Sequence, residues 1–198
     1  MPLFARQPVK DRATLTAGDW ERAALEMIAE QGVRALAVET LARRMGITKG
    51  SFYWHFSSRN ALLERALGRW EEHDARNLTK SLGEIDNPRE RLVSFFLRAS
   101  REKLTQDVYS ALCAAGDDPT VQQVLKRVAR RRMQHLDSAF KELGFGPGEA
   151  THRARLTYTA YLGFLQLQCQ QQTPSLSSRN LNLTARNGGH SPHTPTLS

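Results

Sequence analysis

Among 198 residues the chain has two cysteines, Cys113 and Cys169, too few for a disulfide scaffold or a cysteine zinc site. Both fall inside apolar helical patterns, where buried reduced thiols are expected. No apolar run approaches the roughly 20 residues that cross a bilayer. The N-terminus shows no basic stretch leading into an apolar one with a small-residue cleavage site, so a cytoplasmic location is expected. Alternating β-branched stretches are missing, which excludes a sheet. No glycine-rich phosphate loop and no Gly-x-Ser-x-Gly turn occur. The histidines, His55, His73, His135, His152, His190 and His193, lack metal-ligand spacing. No catalytic residue, cofactor or metal is therefore expected.

What is present is basic charge, 28 Lys and Arg against 20 Asp and Glu, a formal +8. The excess is uneven. Residues 1–57 carry +2 and 58–119 carry −1, whereas 120–172 carry +5. That last excess centres on Lys126, Arg127, Arg130, Arg131 and Arg132. At helical spacing the run reads as a solvated face rather than a second nucleic-acid surface.

The remaining pattern is helix throughout. Thr16 as N-cap, Asp19 at N3 and the pair Leu15 and Trp20 open a first helix whose stripe is Trp20, Ala24, Met27 and Ile28. Gly32 closes it. Val38, Leu41, Ala42 and Met45 form a short second helix ended by Gly46. Thr48 can cap a third, Lys49 through Phe56. The Gly46-Ile47-Thr48 connection is too tight for antiparallel stacking, so these two helices cross steeply as a helix-turn-helix. Ser57 or Ser58 caps a long fourth helix. Asn87-Pro88, Asp118-Pro119 and Pro147 mark later starts, and a shorter helix stops at Gly116, which makes eight helices in all. After Thr173 the composition turns polar, and residues 173–198 read as a disordered tail.

The stretch Leu41-Ala42-Arg43-Arg44-Met45-Gly46-Ile47-Thr48-Lys49-Gly50-Ser51-Phe52-Tyr53-Trp54-His55-Phe56, followed by Ala61-Leu62-Leu63, resembles the DNA-binding signature of the TetR family of bacterial transcription regulators. The resemblance covers about residues 15–67. It implies an all-α chain: a three-helix DNA-binding domain over 1–57, and a helical ligand-binding and dimerisation bundle over 58–172. It also implies a double-stranded DNA operator, a homodimer and an unknown small-molecule effector that releases a repressor from DNA. A poorly dimerising or non-specific DNA binder of the same fold is the alternative.

Elementary physics agrees with that placement. A helix start offers free N–H groups and a positive dipole to phosphate, here at Thr48 and Lys49. Lys49, Gly50 and Ser51 lie in the first turn, the part of a recognition helix that reaches base edges. By resemblance Tyr53 bonds a phosphate, His55 and Arg59 position the DNA backbone, and Thr40 is a further phosphate contact. Trp54 is divided between packing and backbone contact. Phe52 and Phe56 are expected in the core. Two departures stand out: Ala37 sits where the second helix is commonly capped by Ser or Thr, and Glu39 sits where a basic contact is common.

For the bundle, the resemblance makes Trp70, Phe95, Phe96, Tyr109, Met133, Tyr158 and Phe164 candidate walls of an effector cavity, each equally at home in plain core. No buried charge pointing to a ligand is visible. The helix from Gly148 to Gln172 is similar to the one that pairs across the family dimer, with Tyr161 to Leu165 its densest apolar part. The amphipathic helix that normally follows is replaced by the polar tail, so the dimer is expected to be smaller or built by another route.

Overall fold

The computed structural model describes residues 15–169, apart from the side chains at 81–82, 98–101 and 169. The tail, with His190 and His193, lies outside the described residues, as do residues 170–172 of the expected last helix. Eight α-helices and one 3-10 turn make up the described chain: α1 Ala17–Gln31, the turn Val33–Ala35, α2 Val38–Met45, α3 Lys49–Tyr53, α4 Arg59–Gly83, α5 Pro88–Arg101, α6 Lys103–Ala114, α7 Pro119–Glu142 and α8 Pro147–Cys169.

Local chemistry sets the boundaries. Asp19 accepts from both the backbone N–H of Thr16 (2.8 Å) and its hydroxyl (2.7 Å), which fixes the first turn of α1. Gly46 closes α2 at φ 70°, a left-handed value that a side chain resists. Ser58 accepts from the Ala61 N–H at 3.1 Å ahead of α4. Asn87 accepts from the Arg89 N–H at 2.9 Å, and Asp118 from Thr120 and Val121. Both ends of α3 differ from expectation. Thr48 occupies the N-cap of α3, but its side chain makes no capping bond, and α3 stops at Tyr53 rather than Phe56. Ala37, as its chemistry dictates, leaves α2 without a side-chain cap.

One core runs the length of the described chain. Trp20, Leu25, Met27 and Ile28 of α1 meet Leu41 of α2, Phe52 of α3 and Leu62, Leu63 and Leu67 of α4. The same cluster continues through Trp70, Leu78, Phe95, Tyr109, Leu112, Val128, Leu136 and Tyr161. Helix α1 packs on both α4 and α6, α4 packs on α7, and α7 packs along α8. The α1–α4 contact is ionic as well as apolar: the buried Glu21 carboxylate of α1 lies 3.1 Å from Arg65 and 3.4 Å from Arg69 of α4.

Two expectations are corrected here. The Lys126–Arg132 run is a solvated face only in part. Arg127 grips Glu71 at 2.7–3.0 Å, Arg131 reaches the same carboxylate at 3.3 Å, and Arg132 is buried against Asp74 at 2.8 Å, all across the α4–α7 contact. Only Lys126 and Arg130 of the run are exposed without an ion pair to that helix. Charge is therefore buried in the bundle, paired between helices α4 and α7. Cys113 is exposed rather than buried, because α6 turns that side outward.

Candidate nucleic-acid interface

The site is built by α2, the turn Gly46-Ile47-Thr48 and α3. The Ile47 N–H donates to the Ala42 carbonyl at 3.0 Å and the Gly46 N–H to Arg43 at 3.2 Å, folding the chain sharply between the two helices. The turn carries no slack, so α3 is aimed by α2. Phe52 then anchors α3 from below. It is fully buried, edge-on to Trp20 at 5.3 Å and stacked near Phe56 at 5.5 Å. With two rings inward, geometry turns the next two outward: Tyr53 is 57% and Trp54 88% exposed. Trp54 is thus not packed; its divided expectation resolves to the surface.

Around them Thr48, Lys49 and Gly50 are exposed, and Thr40, Ser51 and His55 are half-buried on the same unit. A Cβ at Gly50 would meet only the Thr48 hydroxyl, at 3.7 Å, so the backbone there is open to close approach. The face combines two amphipathic rings, hydroxyl donors and a cation, the side-chain inventory that contacts phosphate and base edges.

Electrostatics on this face has one unexpected feature. The Lys49 ammonium is held by the Glu39 carboxylate, α3 to α2, both exposed. Their hydrogen bond lowers the Glu39 pKa and raises that of Lys49 from the ordinary values. Glu39 therefore neither points away nor stands free; it neutralises the cation that would meet a polyanion. Arg44 is likewise engaged, forked onto Glu30 at 2.6 Å through both terminal nitrogens.

Arg59 does not join the face. Its guanidinium donates to the carbonyls of Leu36 (2.9 Å) and Val33 (2.8 Å), tying the start of α4 to the segment before α2. This is a structural duty: the Val33 carbonyl takes the guanidinium in addition to the Leu36 N–H of the 3-10 turn at 3.2 Å, and the Leu36 carbonyl just past the turn takes its Nε–H. No residue pattern between Gly32 and Ala37 marks these acceptors in the sequence, because the contact depends on where the start of α4 lies in space.

Of the seven candidate cavity residues, the structure packs rather than opens most. Trp70 stacks on Tyr109 and donates to the Thr105 carbonyl at 3.2 Å. Tyr109 and Tyr158 share a hydroxyl hydrogen bond at 2.6 Å. Phe96 lies against Tyr161, and Met133 and Phe164 are half-buried against the core. Phe95 alone lines a described cleft, between α4, α5 and α7. On α8, Tyr161 and Leu165 are buried in their own chain's core. The uncovered seam is instead Leu156, Ala160, Gly163 and Leu167, spaced four, three and four residues along one face.

Comparison with known proteins agrees with this geometry. Residues 22–66 match the family described as bacterial regulatory proteins, tetR family. The chain is 32% identical over 131 residues to the class A tetracycline repressor protein from transposon 1721 of Escherichia coli, covering 66% of this chain and 56% of that protein. It is 26% identical over 121 residues to the HTH-type transcriptional regulator SrpR of Pseudomonas putida, covering 60% and 56%. The chain thus spans about half the length of these curated relatives. In fold it is similar to a TetR transcriptional regulator from Legionella pneumophila, with TM-score 0.70, 14% identity, and 89% and 96% of the two chains covered.

Proposed function

Residues 22–66 match the tetR family of bacterial regulatory proteins, and we propose that the chain is a member of it, a sequence-specific DNA-binding repressor that a small molecule releases from its operator. The observation that carries this is the division of the three consecutive aromatics: Phe52 anchors α3 in the core while Tyr53 and Trp54 are exposed beside Lys49 and Gly50. Such a face has no packing role to explain it. Residues up to 57 form the DNA-reading part. The helices from 58 onward carry effector and dimer functions. Thr40, Thr48, Lys49, Gly50, Ser51, Tyr53, Trp54 and His55 make the contacts, and Arg59 orients the unit from behind.

The molecule works as a homodimer through the Leu156, Ala160, Gly163, Leu167 seam, so that two recognition helices meet successive turns of the major groove. Enrichment of bound duplexes from a randomised pool tests the proposal. The expected product is an inverted repeat whose affinity exceeds that of random duplex by at least about a thousandfold at physiological salt. Equal affinity for enriched and random duplex would rule out the sequence-specific reading.

A further inference from the structure

The cleft between the last turns of α4, the first turns of α5 and the end of α7 has a volume of about 300 Å³. That is room for about ten water volumes, the small end of ligand sites. Its walls are amphiphilic. Phe95 and Leu136, both buried, give an apolar floor, and Thr79 and His135 give polar sides. At the rim Arg91 of α5 meets Glu142, the last residue of α7, in an ion pair.

That pair is incomplete in a telling way. Glu142 takes one terminal nitrogen of Arg91, while the neighbouring Nε–H is buried and has no acceptor among the described residues. A carboxylate in good register takes both donors of one guanidinium edge. A buried N–H without an acceptor is costly, and only an acceptor relieves it. Glu142 is half exposed, so it can swing into water at little cost, whereas Arg91 is mostly buried and stays. A cationic ligand would face the fixed guanidinium, and a purely apolar one would leave the orphan donor in place.

We propose that this cleft binds a small carboxylate-bearing amphiphile whose carboxylate takes the Nε edge of Arg91 in place of Glu142, with its apolar body on Phe95 and Leu136. As the identity of the regulator's effector the inference rests on the function proposed above; as a binding site it stands by itself.

Benzoate is a probe of suitable size and benzamide its neutral counterpart. Titration calorimetry on the full-length protein should show benzoate binding at least tenfold tighter than benzamide. Glu142→Gln, a rim substitution, should tighten benzoate several-fold by removing the competitor. Arg91→Met should weaken it at least tenfold, and Arg91→Lys, which keeps charge and loses the fork, should weaken it too. Absence of benzoate binding up to about 10 mM, or equal affinity in wild type, Arg91→Lys and Glu142→Gln, would overturn the site. Affinity of the same variants for an enriched duplex, measured without benzoate, reports on the DNA reading separately: duplex binding with no benzoate response sinks the cleft alone.

Discussion

Asp74 of α4 and Arg132 of α7, both closed off from solvent, meet at 2.8 Å in the centre of the bundle. The guanidinium also lies over the Tyr109 ring at 4.4 Å and near Tyr161 at 5.5 Å. Two buried charges recover their lost hydration only through each other and such neighbours, so removing one partner strands the other. Asp74→Leu alone should therefore cost about 3–5 kcal/mol in denaturant unfolding, and Arg132→Met alone a similar amount. The double variant should be clearly more stable than either single one. Additive losses in the double-mutant cycle would show the pair to be uncoupled.

Neither charge announced itself by composition, yet both sat in register. Asp74 falls between Trp70 and Leu78, four residues from each, and Arg132 falls between Val128 and Leu136 in the same way. A polar residue at a core position of the helical stripe is the signal for a buried pair. Within a run of five cations that signal was masked, because the partner acids lie on another helix and about sixty residues earlier. Caps and turns, by contrast, are local chemistry, so Asp19, Gly46, Asn87 and Asp118 marked their boundaries plainly. The same contrast holds at the candidate interface. Burial of Phe52 and Phe56 follows from spacing, whereas the Glu39–Lys49 and Arg59 contacts depend on how segments are placed in space. In α8 the apolar residues surround the helix, so sequence alone does not separate those facing the chain's own core from those left for a partner.

Tyr109 gives a pH dependence. Burial first, and then its contact with Tyr158, raise its pKa well above the ordinary tyrosine value of 10.0. A raised folded-state pKa adds stability that is fully present below the unfolded value and is lost as pH rises above it. The melting temperature should fall from about pH 10 upward. Tyr109→Phe should be less stable at pH 8 but show a shallower alkaline decline. An unchanged alkaline slope in that variant would assign the effect to other groups.

Because Glu39 occupies the Lys49 ammonium, Glu39→Gln should strengthen DNA binding several-fold and steepen its salt dependence by about one counterion. Lys49→Ala should weaken binding and make the slope shallower by a similar amount. Fluorescence anisotropy across a salt series measures both. Weaker binding by Glu39→Gln would mean that the carboxylate itself contacts a base or orders the helix.

Leu156 and Leu167 are exposed on the α8 seam at 72% and 43%. Leu156→Glu with Leu167→Glu should leave the melting temperature of the monomer within a few degrees, since neither side chain fills the core, and should convert a dimer to monomer in light scattering. A dimer that survives both substitutions would place the interface elsewhere.

Tyr53→Ala offers the most direct test. The side chain is more than half exposed and its Phe52 neighbour holds the helix, so the fold does not depend on it. Measured by anisotropy on an enriched duplex, the variant should lose at least about a hundredfold in affinity, equivalent to about 2.7 kcal/mol, while melting where the wild type does. Unchanged affinity in a protein that folds normally would contradict a DNA-reading role for α3.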